Sequence, residues 1–174
     1  MKKTVKLTTC AIFSAVICVV TTFVSVPAPS IGNINVGDIF ILCAAWILGP
    51  YGAVAAGIGA CLADVFSGYA IYAPATLVIK FAMALACYYL YLEFMKLTKW
   101  QLFSRVFSAL AAEAVMVLGY YFYESIVYGV EAAIASVPFN LIQGAICILI
   151  GTTAGFFLLR NKTVKRFSNS FINN

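Results

Sequence analysis

Long apolar runs, separated by short polar punctuation, organise this chain. Leu7–Val26 carries no charged residue and has about the 20 residues that a membrane-spanning helix needs. Five further runs follow, at Ile39–Leu48, Ala53–Phe66, Pro74–Phe94, Val106–Tyr123 and Ser136–Leu159. The second is short, and "GPYG" (Gly49–Gly52) turns it directly into the third. The other breaks are "PAPSIGNINVGD" after the first run, "SGYAIYAP" before the fourth and the basic "MKLTKWQLFSR" before the fifth. Pro74 suits the first turn of a helix. The pattern predicts an all-α membrane protein, a bundle of about six transmembrane helices, forming one domain over residues 1–174 with basic tails at 1–6 and 160–174.

Composition strengthens this reading. Hydrophobic residues make up 64% of the 174 and charged residues 10%, against about 45–50% and about 25% in soluble domains. The first run, preceded by Lys2, Lys3 and Lys6, also resembles a secretory signal. Its length favours a retained span, as do Pro27 and Pro29, which flank the one plausible cleavage position. Histidine is absent and the six cysteines are scattered without a Cys-x-x-Cys pair. Neither a zinc site nor a disulfide framework is expected, and no metal or cofactor is predicted.

The net charge of +5 is a topological signal and gives no reason to expect nucleic acid. Ten of the eleven basic residues form three clusters: Lys2, Lys3 and Lys6; Lys96, Lys99 and Arg105; and Arg160, Lys162, Lys165 and Arg166. Six spans place all three on one side, which the positive-inside rule makes cytoplasmic. Both termini are therefore expected inside.

The eleventh is Lys80, alone within the fourth run. An ammonium there is costly unless partnered, and an intramembrane ionisable residue is a functional candidate by default. Asp64 or Glu113 is the expected partner. At 1.5 Å per residue, Lys80 lies roughly 9 Å below the outer surface. Asp64, Thr76, Tyr120, Tyr123, Asn140 and Gln143 fall in the same outer half, with Glu113 near the middle. Thr76 and Lys80 share a helical face, as do Asn140 and Gln143. The inner halves of most spans are apolar, so the expected shape is a cup open outward over an apolar floor. Plainer readings are a structural ion pair at Lys80, interhelical hydrogen bonding by Asn140 and Gln143, and interfacial tyrosines. Ala11 and Ala15 are four apart, a small-xxx-small spacing that lets helices approach closely.

"NINVGDIFILCAAWILGPYGAVAAGIGACLADVFSGYAIYAPATLVIK" (Asn33–Lys80), together with "PFNLIQG", resembles the substrate-binding S components of energy-coupling factor (ECF) vitamin transporters, in particular a riboflavin-transporter-like subgroup. The resemblance rests on Gly37-Asp38, Gly49-Pro50, Asp64 and Thr76-x3-Lys80, and extends over nearly the whole chain. It implies a multi-pass protein of the bacterial cell membrane that binds a vitamin from outside, under a lid formed by the loop after the first span. Asn33 and Asn35 of that loop would bond the ligand. It also implies docking through Ala11 and Ala15 on an ECF T component carrying two ATPases. The chain itself has no G-x-x-x-x-G-K-[ST] phosphate loop. One cation, few carboxylates, amides and tyrosines suit a small polar heteroaromatic: a pyridoxine-type vitamin or hydroxymethylpyrimidine fits well, pantothenate less so, and riboflavin stays open. The rival classes are a membrane-embedded enzyme, limited to Asp, Glu, Lys and Tyr for acid–base work, and a structural membrane subunit.

Overall fold

A computed structural model describes residues 2–28 and 32–172. Four helices are long and apolar enough to span a bilayer: α1 (Lys3–Phe23), α4 (Ala73–Thr98), α5 (Gln101–Val127) and α6 (Val130–Arg160). Two shorter apolar helices, α2 (Gly37–Leu48) and α3 (Pro50–Phe66), complete the expected six. The lid loop contains an antiparallel hairpin of β1 (Ser25–Pro27) and β2 (Asn33–Asn35), with Val26 opposite Ile34. Its tip, residues 29–31, lies outside the described residues.

The short α2 explains the architecture. At 1.5 Å per residue its 12 residues reach only about 18 Å, well short of the hydrocarbon core. Every α2 residue except Phe40 is buried, so protein rather than lipid surrounds it. Gly49 ends α2 with a φ of +60°, a conformation that favours glycine, and Pro50 opens α3 at once. A Cβ at Gly52 would overlap the Ala44 carbonyl, so glycine permits α2 and α3 to lie back to back. Gly57 likewise admits the Leu77 carbonyl of α4, and Gly59 the Ser14 carbonyl of α1. The small-residue run of α3 thus packs the bundle internally, with Ser14 donating a hydrogen bond to the Ala55 carbonyl at 3.0 Å.

The long helices turn apolar residues outward, among them Leu7, Ile12 and Phe23 on α1, Leu118 and Ile126 on α5, and Leu149 and Phe157 on α6. Such a surface suits lipid. Ala11 and Ala15 lie on this exposed side of α1 and take no part in the core.

Several boundaries differ from the sequence pattern: α1 gives way to β1 before Val26, and α4 and α5 run on into the expected basic loop, leaving only Lys99 and Trp100 between them. Two further differences lie in the C-terminal part. α6 starts at Val130, a turn and a half before the apolar run, because Gly129 (φ +92°) releases the chain and Glu131 sits in the first turn, where a carboxylate favours the helix dipole. The C-terminal basic stretch is a seventh helix, α7 (Lys162–Ile172). Its Phe171 is fully buried against Ile47, Leu48 and their neighbours. Lys6 of α1 lies 4.6 Å from the Tyr51 ring centroid and 5.5 Å from that of Phe171. The basic clusters therefore gather at one end of the bundle, the cytoplasmic end by the positive-inside rule.

Candidate binding site

The site grows from the buried start of α2. Asp38, in its first turn, is completely buried and gains from the positive end of the helix dipole. Lys80 of α4, 3% exposed, donates to its Oδ1 at 2.5 Å. The expected partners, Asp64 and Glu113, are thereby corrected: the ion pair is Lys80–Asp38. The sequence places Asp38 in the outer loop, but the sunken α2 carries it down to the level of Lys80.

Hydrogen bonds extend from this pair. Gln143 of α6 donates through Nε2 to Asp38 Oδ2 at 2.7 Å. Its Oε1 accepts from the backbone N–H of Asn35 at 2.9 Å. Asn35 Oδ1 accepts from the Gly37 N–H at 3.0 Å, closing a turn that leads into α2. One polar chain thus joins α4, α2, α6 and the hairpin. Gly37 has no room for a side chain, since a Cβ would overlap the Thr21 hydroxyl of α1.

Above this chain lies a cavity of about 40 Å³. Asn33 and Asn35 line it from the hairpin, Asp64 from α3, and Thr76 and Lys80 from α4; Tyr120 of α5 and Asn140 and Gln143 of α6 line it too. The Thr76 and Tyr120 hydroxyls share a hydrogen bond at 3.0 Å, and Lys80 Nζ lies 5.4 Å from the Tyr120 ring centroid. Asp64 Oδ2 and Asn140 Nδ2 are buried without a hydrogen-bond partner. An acceptor and a donor thus remain free at the cavity, which also tells against Asn140 as interhelical glue.

Two expected residues lie elsewhere. Tyr123 donates to the Ile71 carbonyl, tying α5 to the α3–α4 loop. Glu113, 4% exposed, packs against Gly144 at the α5–α6 groove, and neither carboxylate oxygen has a partner. Its carboxylate lies within 4.8 Å of ligand atoms of Asp38 and Cys147. Lys80 already supplies positive charge there, so a metal ion would meet an ammonium bound to one of its own ligands.

The structure also brings in residues that pattern reading did not select. Besides Asp38, the cavity is lined by Thr21, Tyr69, Tyr72 and Glu124. Glu124, 3% exposed, accepts hydrogen bonds from the Tyr72 hydroxyl at 3.2 Å and from Ser136. The Tyr72 ring stands 5.4 Å from Tyr123 and 6.0 Å from Tyr128, centroid to centroid. Burial and the neighbouring Glu124 carboxylate raise the Tyr72 phenol above its ordinary pKa, keeping it a donor. A carboxylate closing the aromatic run "YYFYE" was the signal available in the sequence. The result is a polar floor under aromatic walls, suited to a flat ring carrying hydrogen-bonding substituents.

Residues 1–159 match the family described as ECF-type riboflavin transporter, S component. An uncharacterised protein from the gap 3′ region of Pyrococcus woesei is 35% identical over 145 residues, spanning 82% of this chain and 93% of that protein. Among solved structures, one described as the S component of a bacterial ECF transporter superposes with a TM-score of 0.70 at 23% identity. That match covers 91% of this chain and 98% of the other.

Proposed function

Because the chain belongs to the family of ECF-type riboflavin transporter S components, multi-pass membrane subunits that bind substrate without chemically transforming it, we propose that its outer cavity captures a small, water-soluble heteroaromatic vitamin. The observation that carries this reading is the cavity itself, with its free Asp64 oxygen and Asn140 amide above the Lys80–Asp38–Gln143 chain. Family membership removes the membrane-embedded enzyme from consideration, and the unpaired polar groups argue against a purely structural subunit.

Size bears on the vitamin. A drug-sized ligand fills about 300–1,000 Å³, whereas this cavity holds about 40 Å³. The hairpin and Tyr72 therefore have to shift as ligand enters, and a single-ring ligand of the pyridoxine or hydroxymethylpyrimidine type demands less opening than riboflavin. The family description favours riboflavin as the second reading. Identification of co-purifying ligand by mass spectrometry, followed by titration with pyridoxine, hydroxymethylpyrimidine and riboflavin, decides between them. Submicromolar binding of riboflavin alone would overturn the single-ring assignment.

Delivery inward relies on the ECF module that membership of this family implies, a T component with two ATPases. Ala11 and Ala15 are the proposed contact, being small, exposed and unused by the bundle.

A further inference from the structure

A second cavity lies at the other end of the molecule. It measures about 210 Å³ and lies between α7 and the bundle, with Arg105, Lys165, Ser168 and Asn169 among its lining residues and Trp46 and Tyr88 in its wall. Arg105 is only 2% exposed. Its Nε and Nη1 have no hydrogen-bond partner, and Nη2 makes only a long 3.5 Å contact with Gln101. Among the described residues no Asp or Glu lines the cavity. A basic residue that merely marks the cytoplasmic side stays in water, as Lys96 does in its exposed pair with Glu93. A buried guanidinium without a counter-charge is costly, and its planar fork of donors matches a phosphate group. Lys165 and Asn169, four apart on α7 and both exposed, bring a second cation and an amide to the same opening.

We propose that this cavity is a binding site for a phosphate-type oxyanion, with Arg105 as its buried anchor and Lys165 as its outer clamp. The phosphate belongs either to the headgroup of an anionic phospholipid at the cytoplasmic leaflet or to a soluble phosphate of the cytosol. Both offer the same chemistry to Arg105, and α7 closes over either.

Trp46 supplies the readout. The chain has two tryptophans, and Trp100 is 62% exposed outside this cavity, so a Trp100→Phe background leaves Trp46 as sole reporter. The full chain is placed in phosphatidylcholine nanodiscs and titrated with inorganic phosphate against chloride at equal ionic strength. A parallel sample has phosphatidylglycerol in the discs and no added phosphate. A saturable change in Trp46 emission with phosphate supports a soluble ligand, and a change with phosphatidylglycerol alone supports a headgroup. Arg105→Gln should weaken the response about tenfold or more, the usual scale for losing a charge-assisted hydrogen bond. Should that variant not fold, the exposed Lys165→Gln carries the same test with a smaller shift. Silence of Trp46 toward both probes, or an unchanged response in Lys165→Gln and in a folded Arg105→Gln, overturns the proposal. Vitamin binding at the outer cavity is independent of either result.

Discussion

The Lys80–Asp38 pair holds a charge balance that single substitutions upset unequally. Lys80→Met leaves Asp38 with the Gln143 amide and the start of α2. Asp38→Ala takes away the ammonium's one hydrogen bond among the described residues, leaving it the Tyr120 ring and the longer-range field of the Glu113 carboxylate. Losing one partner of a buried pair costs about 3–5 kcal/mol, so Asp38→Ala is expected to lower Tm more than Lys80→Met. The Asp38→Ala, Lys80→Met double variant should recover part of the loss, giving a coupling energy above about 1 kcal/mol in a double-mutant cycle. Additive Tm losses would contradict a coupled pair. Asn140 sits differently, because its amide nitrogen has no protein partner to lose. Asn140→Leu should therefore leave Tm nearly unchanged and weaken vitamin binding about tenfold, the worth of one well-placed hydrogen bond. Isothermal titration beside a melting curve checks both halves. Helical spacing made Thr76 with Lys80, and Asn140 with Gln143, legible in the sequence as neighbours. Asp38 was not legible as the partner, since its depth depends on how far the bundle sinks a helix that is itself too short to span.

At the scale of elements, glycine positions decide which helices touch. Gly52→Ala forces a methyl into the Ala44 carbonyl, and overpacking of this kind costs about 1–3 kcal/mol. Gly68 has open space around it but a φ of +84°, so Gly68→Ala suffers backbone strain alone. Thermal melts should rank Gly52→Ala as the more damaging; the reverse order would place the critical contact in the α3–α4 loop. The outer face of α1 makes the opposite prediction. Ala11→Trp with Ala15→Trp adds bulk where the bundle makes no contact, so vitamin binding should persist while uptake with the ECF module is lost; normal uptake would remove α1 from the docking face. The six apolar helices were readable from run length. α7 was not, because its apolar positions Val164, Phe167 and Phe171 stand among basic residues in "KTVKRFSNSFI", and charge masked their spacing of three and four.

The whole molecule joins an outer polar cup to a cytoplasmic end rich in basic side chains, with apolar packing between them. That separation offers no continuous polar path inward. Purified protein in liposomes without T component or ATPases is therefore expected to bind vitamin yet accumulate none, and radiolabel uptake above a protein-free control would refute this. The sunken α2 has a consequence for how the protein is made. Asp38 leaves the ribosome 42 residues ahead of Lys80. Until α4 arrives, the nascent α2–α3 pair carries an uncompensated acid on a segment too short to stay in lipid alone. Membrane integration of the first half then waits on the second, and the translocon has to hold two helices until a third supplies their counterion.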